Sequence, residues 1–308
     1  MKESVANNMK EKLSIIVKTK IFAIYFYGKD NLISLIKGNP KVLSSEETVD
    51  KIIKDKCSVS RFGDGEFKLL IQSADLKFQN RSDKLSRRLE EVLRSEYNNL
   101  IVCIPKVFSK KDLALRTKQS SDFWRKHIAT YRLKWYEYLN LKKVYYNASF
   151  TRNYMALKDK SNSEEFFNKV KKIWQDRNLL IVEGKFSRIG VGNDLFSNAA
   201  SIERILAPHE NAFEKYEDIL KVIEEQSKEK LILIALGPTA TVLAYDLNKA
   251  GYQAIDIGHL DVEFEWFLKK ATTKTKLDNK YVIEADGRII SDDFKDKRYE
   301  EQILAKII

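Results

Sequence analysis

The chain has only two cysteines, three histidines and four prolines among 308 residues, and each shortage excludes something. Cys57 and Cys103 sit in separate apolar, strand-like runs with no paired spacing. That argues against a disulfide framework or a cysteine metal site, and for reduced core thiols in the cytoplasm. His127, His209 and His259 are too few and too scattered for a histidine-rich zinc site. Four prolines and eleven glycines cannot supply long flexible linkers, and no repeat recurs at solenoid periods. No apolar run is long enough to span a bilayer. The nearest, Leu13 to Gly28, is interrupted by Lys18 and Lys20 and lacks a small-residue cleavage site. What remains is a globular composition, 44% hydrophobic and 32% charged, in a chain long enough to bury a large core.

Charge is abundant and uneven. The net +11 is concentrated between residues 61 and 160, where 22 Lys/Arg face 11 Asp/Glu, while 161–308 is slightly acidic. Such a surface either faces a polyanion (nucleic acid, anionic lipid or a phosphorylated substrate) or serves solubility alone. Within it, 109–139 interleaves bases with Phe123, Trp124, Tyr131, Trp135, Tyr136 and Tyr138. Those rings either stack on bases and sugars or are buried by an amphipathic helix pair. The Leu13–Gly28 segment likewise has two readings. It packs on the main domain as a helix, or it lies along a membrane interface with its lysines at anionic head groups.

Apolar runs and helical periodicities alternate along the chain. Strands are predicted near Cys57–Arg61, Leu100–Ile104, Val144–Phe150, Leu179–Glu183, Ser201–Ala207, Leu231–Leu236 and Ala254–Gly258, with amphipathic helices between them. Runs as continuously apolar as Leu231-Ile-Leu-Ile-Ala-Leu236 suit strands covered on both faces. The fold class is therefore α/β, a mostly parallel Rossmann-like sheet flanked by helices, with polar loops gathered at the carboxyl ends of the strands. Three segments are expected: a helical extension over 1–44, the α/β domain over 45–270 and a peripheral segment over 271–308.

The loops after these strands carry the chemistry. Arg61-Phe-Gly63-Asp64-Gly65-Glu66 reads as a turn with glycine on either side of Asp64. Asp64 and Glu66 are close enough to share one hard cation, Mg²⁺ or Mn²⁺, completed by a nucleotide diphosphate. Arg61 would take a phosphate or one of these carboxylates as a fork. A polar turn with solvated acids is the plainer alternative. Gly184 to Phe196, with Arg188, Gly190, Gly192 and Asn193, reads as an amide cradle for phosphate, as do Gly237-Pro238-Thr239 at a helix start. The glycine spacing departs from the dinucleotide fingerprint, so NAD is not implied.

Five motifs in order, Arg61–Glu66, Thr151-Arg152-x-Tyr154, Val182-Glu-Gly184 to Asn193–Phe196, Leu236–Thr239 and Asp256–Glu263, resemble the bacterial GT-D-type glycosyltransferases over roughly 45–270. The resemblance implies a Rossmann-like fold with Asp64 and Glu66 as the metal–diphosphate site. It also implies transfer of a hexose from a nucleotide-sugar, UDP-glucose being the type donor, to a cell-surface glycan, glycoprotein or lipid-linked saccharide. Arg152 and the other arginines would then neutralise the leaving diphosphate. Direct displacement needs a base on the acceptor hydroxyl. Asp261 is the first choice, with Glu263 and His259 beside it. His259 would otherwise serve as a further metal ligand, or all three as helix-capping polar groups. Two other classes compete. One is a non-catalytic nucleotide or RNA binder using 109–139, although nucleic acid is not the favoured partner. The other is a methyltransferase, which would have no need of the Asp64/Glu66 pair. A cytoplasmic enzyme, with or without peripheral contact at the inner face of the membrane, is the expectation.

Overall fold

The computed structural model describes residues 24–277, 280, 282, 285 and 295–308. The first half opens with helix α1 (24–37) and strand β1 (Lys41–Val42), followed by α2 (Ser45–Asp55), β2 (Ser58–Arg61), α3 (Asp64–Leu70) and α4 (Asp83–Arg94). β3 (Leu100–Ile104), α5 (Lys110–Ala114), α6 (Lys118–Tyr138) and β4 (Val144–Asn147) complete it, ending in a 3₁₀ turn at Ala148–Arg152. The second half comprises α7 (Ser163–Lys171), β5 (Asn178–Gly184), β6 (Ser201–Ala207) and α8 (Tyr216–Glu224). It continues with β7 (Leu231–Ala235), α9 (Pro238–Lys249), β8 (Gln253–Asp256), α10 (Leu260–Leu268), α11 (Lys297–Glu301) and β9 (Ile303–Lys306).

Local chemistry sets many of these boundaries. Ser44 and Glu47 form a reciprocal capping box at α2, and the Ser82, Ser109 and Thr117 hydroxyls accept backbone N–H groups at the starts of α4, α5 and α6. Pro238 opens α9, where its missing N–H costs nothing.

The nine strands form one sheet in the order β1-β4-β3-β2-β8-β7-β5-β6-β9. Every strand pair is parallel, as the continuous apolar runs predict. Side-chain alternation divides the core. Leu180 and Val182 of β5 face a layer containing α3, α4, α6, α8 and α9, whereas Leu179 and Ile181 face α2, α7 and α10. Within the segment expected to be peripheral, 303–306 adds an edge strand. β9 pairs with β6, and Arg204 reaches Gln302 at 2.7 Å, so 303–306 completes the sheet. Region 109–139 buries its rings in part: Trp124, Tyr131, Tyr136 and Tyr138 are half-buried against the core, and Phe123 is exposed. Trp135 is fully buried, stacked on Phe67 at 4.0 Å, while His127 and Arg132 also turn inward.

The connections decide where a ligand fits. From β2 the chain moves outward to β3 and β4, whereas β8 is reached from β7 on the other side. The crevice between the carboxyl ends of β2 and β8 is therefore a topological switch point, where open α/β sheets bind ligands. A second such point separates β7 from β5.

Candidate active site

The segment around Asp64 is a helix start rather than a turn. Gly63 is the residue before α3, at φ −109°, and neither it nor Gly65 adopts positive φ. Their contribution is space. A Cβ on Gly65 would come within 3.1 Å of Leu76, and one on Gly63 within 3.0 Å of the Glu66 carboxylate. Glu66 Oε2 accepts the Gly63 N–H at 2.7 Å, and Asp64 Oδ2 accepts from Lys68 Nζ at 2.8 Å. Burial raises the Glu66 carboxyl above its ordinary range. The Asp256 charge adds to that, and Arg61 opposes it.

Arg61 is not a phosphate fork here. Its Nη2 donates to Asp256 Oδ1 at 2.8 Å, its Nε to the Asp256 carbonyl at 2.8 Å, and its Nη1 to the Ala148 carbonyl at 3.3 Å. One guanidinium thus ties the end of β2 to the end of β8 and to the 3₁₀ turn after β4. Burial raises the Asp256 carboxyl, while Arg61, the Thr241 hydroxyl and the Gly258 N–H counter it. The short, nearly buried ion pair favours the ionised form. Gly258, at φ +45°, makes this possible, because a Cβ there would lie 1.8 Å from Arg61 Nη2.

These residues fit a divalent cation only in a limited way. Among the described residues, no three His, Cys, Asp or Glu side chains gather as a ligand set. Asp64 and Glu66 each have one oxygen engaged in the bonds above, which leaves one carboxylate oxygen apiece. Two carboxylate oxygens with the remaining positions filled by phosphate and water is how Mg²⁺ is commonly held. The raised Glu66 carboxyl, crowded by Asp256, is the group that a cation would relieve.

Beside this cluster, Arg152 Nη2 lies 2.9 Å from His259 Nδ1. Arginine is only a donor, so Nδ1 accepts and the ring proton resides on Nε2. In that tautomer Nδ1 accepts from Arg152 and Nε2 bears the proton, so neither ring nitrogen has a lone pair to spare for a general base or a metal ligand.

Asp261 and Glu263 are also displaced from the role of base. Asp261 is 2% exposed. Its Oδ1 accepts from Gly190 N at 2.9 Å and Asn193 Nδ2 at 2.8 Å, and its Oδ2 pairs with Lys280 at 2.7 Å. Glu263, equally buried, accepts the N–H groups of Tyr154 and Met155 at 3.0 and 2.8 Å. Each carboxylate on α10 therefore holds a loop: Asp261 the one after β5, Glu263 the one carrying Arg152.

The two proposed amide cradles are largely filled from within. The Gly190 N–H is taken by Asp261, and the Phe196 ring lies 2.4 Å from where a Gly190 Cβ would be. Asn193 bridges Asp261 and Glu265. Arg188 is buried, its charge acting on the Tyr299 hydroxyl. Only Gly192, at φ +80°, has open space beside it. At the start of α9, Phe78 covers Gly237, 2.5 Å from a would-be Cβ, and the buried Thr239 hydroxyl faces Gln79 at 3.5 Å.

The structure thus brings Arg61, Asp64, Glu66, Arg152 and His259 to the β2/β8 crevice, and sets Arg188, Gly190, Asn193, Gly237 and Thr239 into supporting contacts. Asp256, Gly258, Glu265 and Lys280 were missed as site residues. Asp256 and Gly258 carried a usable signal, an acid closing a strand followed two residues later by glycine. Lys280 lies far along the chain and carried none.

The family model for the glycosyltransferase GT-D fold matches residues 59–285. A probable glycosyl transferase, Gly, of Streptococcus gordonii is 40% identical over 269 residues, covering 86% of this chain and 39% of its own length. Glycosyltransferase GlyD of Streptococcus pneumoniae is 38% identical over 269 residues, covering 87% of this chain and 33% of its own. The chain thus spans little more than a third of these curated relatives. Among solved structures, a domain of unknown function 1792 described as having a distinct glycosyltransferase fold superposes with TM-score 0.82 at 41% identity, covering 87% of this chain and 96% of that one. A glycosyltransferase of the same domain type from Streptococcus sanguinis gives TM-score 0.82 at 39% identity, covering 88% and 100%.

Proposed function

Because the chain belongs to the GT-D-fold glycosyltransferase family, we propose that it moves a hexose from a nucleotide-sugar to a hydroxyl of a glycan, glycoprotein or lipid-linked saccharide. The donor is a UDP-sugar of the UDP-glucose type. The observation that carries this reading is the cluster at the β2/β8 switch point, where Arg61 and Asp256 act on Glu66, Asp64 opens the helix after β2, and Arg152 meets His259 in the loop after β8. A divalent cation, Mn²⁺ or Mg²⁺, would be held by Asp64 and Glu66. When bound, it supplies positive charge to the leaving diphosphate.

The remaining work falls to side chains. Arg152 and His259 stand where negative charge grows on the diphosphate as its bond to the anomeric carbon breaks, and the leaving diphosphate takes up the proton that the acceptor hydroxyl gives up. Arg61 fixes the two strand ends so that these side chains need not reorganise during the reaction. Asp261 and Glu263 act as positioning residues, through the loop after β5 and through Arg152. The location that goes with this chemistry is the cytoplasm or the inner face of the membrane, where nucleotide-sugars are available to the enzyme.

The test is a panel of nucleotide-sugars incubated with the protein with and without Mn²⁺ or Mg²⁺, with released nucleotide measured. Metal-dependent release from one donor class, lost in Asp64→Asn, is the expected result. Salt-sensitive RNA binding without release from any donor would favour the non-catalytic alternative.

A further inference from the structure

Helix α1 is amphipathic in the wrong sense for a packed helix. Ile24, Tyr25, Leu32, Leu35 and Ile36 are 74, 71, 56, 82 and 74% exposed. At 100° per residue these five fall, with Gly28, within one continuous arc of about 120°. The opposite face carries the polar anchors. Asp30 pairs with Arg132, Tyr27 lies under the Arg125 guanidinium at 4.0 Å, and Tyr136 donates to the Gly38 carbonyl at 2.7 Å. The polar side thus holds the helix to the body, and the apolar side is turned to solvent. An exposed patch of this kind marks an interaction surface.

Direction adds to this. α6 enters β4, and α1 enters β1, at the amino ends of two parallel, paired strands. The contacts pair 27 with 125, 30 with 132 and 38 with 136, so the two helices run side by side in the same direction. Both therefore begin at the carboxyl edge of the sheet, the edge that carries Asp64 and His259. In sequence, residues 1–23 carry five lysines against two glutamates among Leu13, Ile15, Ile16, Val17, Ile21 and Phe22. Lys29 borders the apolar arc, and Arg125 and Lys126 are exposed on the neighbouring helix.

We propose that the outward face of α1 docks on an anionic lipid surface, with Ile24, Tyr25, Leu32, Leu35 and Ile36 inserted among the acyl chains and the flanking cations at the head groups. Among the described residues no helix is long and apolar enough to cross a membrane, and an apolar face bordered by lysine is the pattern of a helix lying in the interface. Docking in this way lays α1 parallel to the bilayer surface, on the side of the sheet that β1 edges. It extends the membrane contact expected for 13–28, most of which lies outside the described residues, to a described surface. The docking itself does not depend on the donor or the metal.

The experiment is co-sedimentation of the full chain with phosphatidylcholine vesicles, with and without phosphatidylglycerol, at low and high salt. Binding is expected to the anionic vesicles and to weaken with salt. The double variant Leu32→Glu/Leu35→Glu should weaken it by about tenfold or more, since two inserted leucines become charges. Leu304→Glu, at an exposed leucine on β9, should bind as wild type, and donor turnover should be unchanged in both variants. Four results would overturn the proposal. They are a full chain that ignores anionic vesicles at low salt, a double variant that binds normally, and a dimer in sedimentation that the double variant dissolves, without vesicle binding. The fourth is binding that emerges only after residues 1–23 are removed, which would make that segment the natural cover of the face.

Discussion

Replacing Gly258 by alanine tests the arrangement at the switch point most directly. A methyl group there would lie 1.8 Å from Arg61 Nη2 and 2.7 Å from its Cζ, a distance that no small shift can relieve. Arg61 must leave Asp256, and a carboxylate only 2% exposed then loses its partner. Breaking a buried pair costs about 3–5 kcal/mol, and the positive φ adds about 1–2 kcal/mol for any L side chain. The total, roughly 4–7 kcal/mol, is comparable to the whole stability of many domains. Gly192→Ala provides the contrast. Its φ is +80° but nothing lies within 4 Å of the new Cβ, so only the strain, about 1–2 kcal/mol, is expected. Urea unfolding should separate the two variants clearly. The decisive measurement is the cycle with Arg61→Ala. In that background Gly258→Ala should cost only the strain, because the clashing guanidinium is gone. If Gly258→Ala costs the same with and without Arg61, the reasoning fails.

Other outcomes follow from the same contacts. Asp64→Asn and Glu66→Gln should each reduce metal-dependent transfer more than tenfold while leaving the urea midpoint within error; unchanged activity in excess chelator would end the cation reading. Asp261→Asn leaves the buried Lys280 with Glu265 as its remaining carboxylate partner among the described residues, so a loss of about 3 kcal/mol is expected together with lower activity. Lost transfer at wild-type stability would instead restore Asp261 as the base. His127 is buried with its Nε2 accepting from Trp135 Nε1 at 3.1 Å, and burial lowers its pKa to about 4. The unfolded chain takes up this proton near pH 6.5, so stability present above that value is lost as pH falls toward 4, by about 2–3 kcal/mol. His127→Gln, which retains an acceptor for Trp135, should flatten that part of the pH–stability curve relative to wild type. A curve with the same slope would mean that the ring is protonated in the folded protein.

The sequence by itself determined the elements and the class of fold. Apolar runs such as Leu179–Val182 and Leu231–Ile234, short and rich in Ile, Leu and Val, suit strands covered on both faces, and helical periodicity marked α4 and α8 between them. Those signals are local, written at periods of two and 3.6 residues. The position of Asp64 and Glu66 immediately after a strand was legible for the same reason, as was the phosphate-compatible residue set around them. Conformation at the glycines was not. Gly63 and Gly65 were read as turn residues, yet they give room at a helix start, while Gly258, unremarked, holds the conformation on which Arg61 depends. Tertiary structure alone decided the partners. Arg61 meets Asp256 across 195 residues, Glu263 meets Tyr154 across 109, and Asp261 meets Gly190 across 71. Whether a carboxylate is a base, a ligand or an anchor depends on which donors surround it once water is excluded, and those donors arrive from distant strands. Likewise, 303–306 read as a tail because a four-residue strand is recognisable only beside its neighbour. The apolar face of α1 became visible only when its polar side was found against Arg125, Arg132 and Tyr136, because a hydrophobic pattern shows that a helix has two faces but not which of them meets the protein.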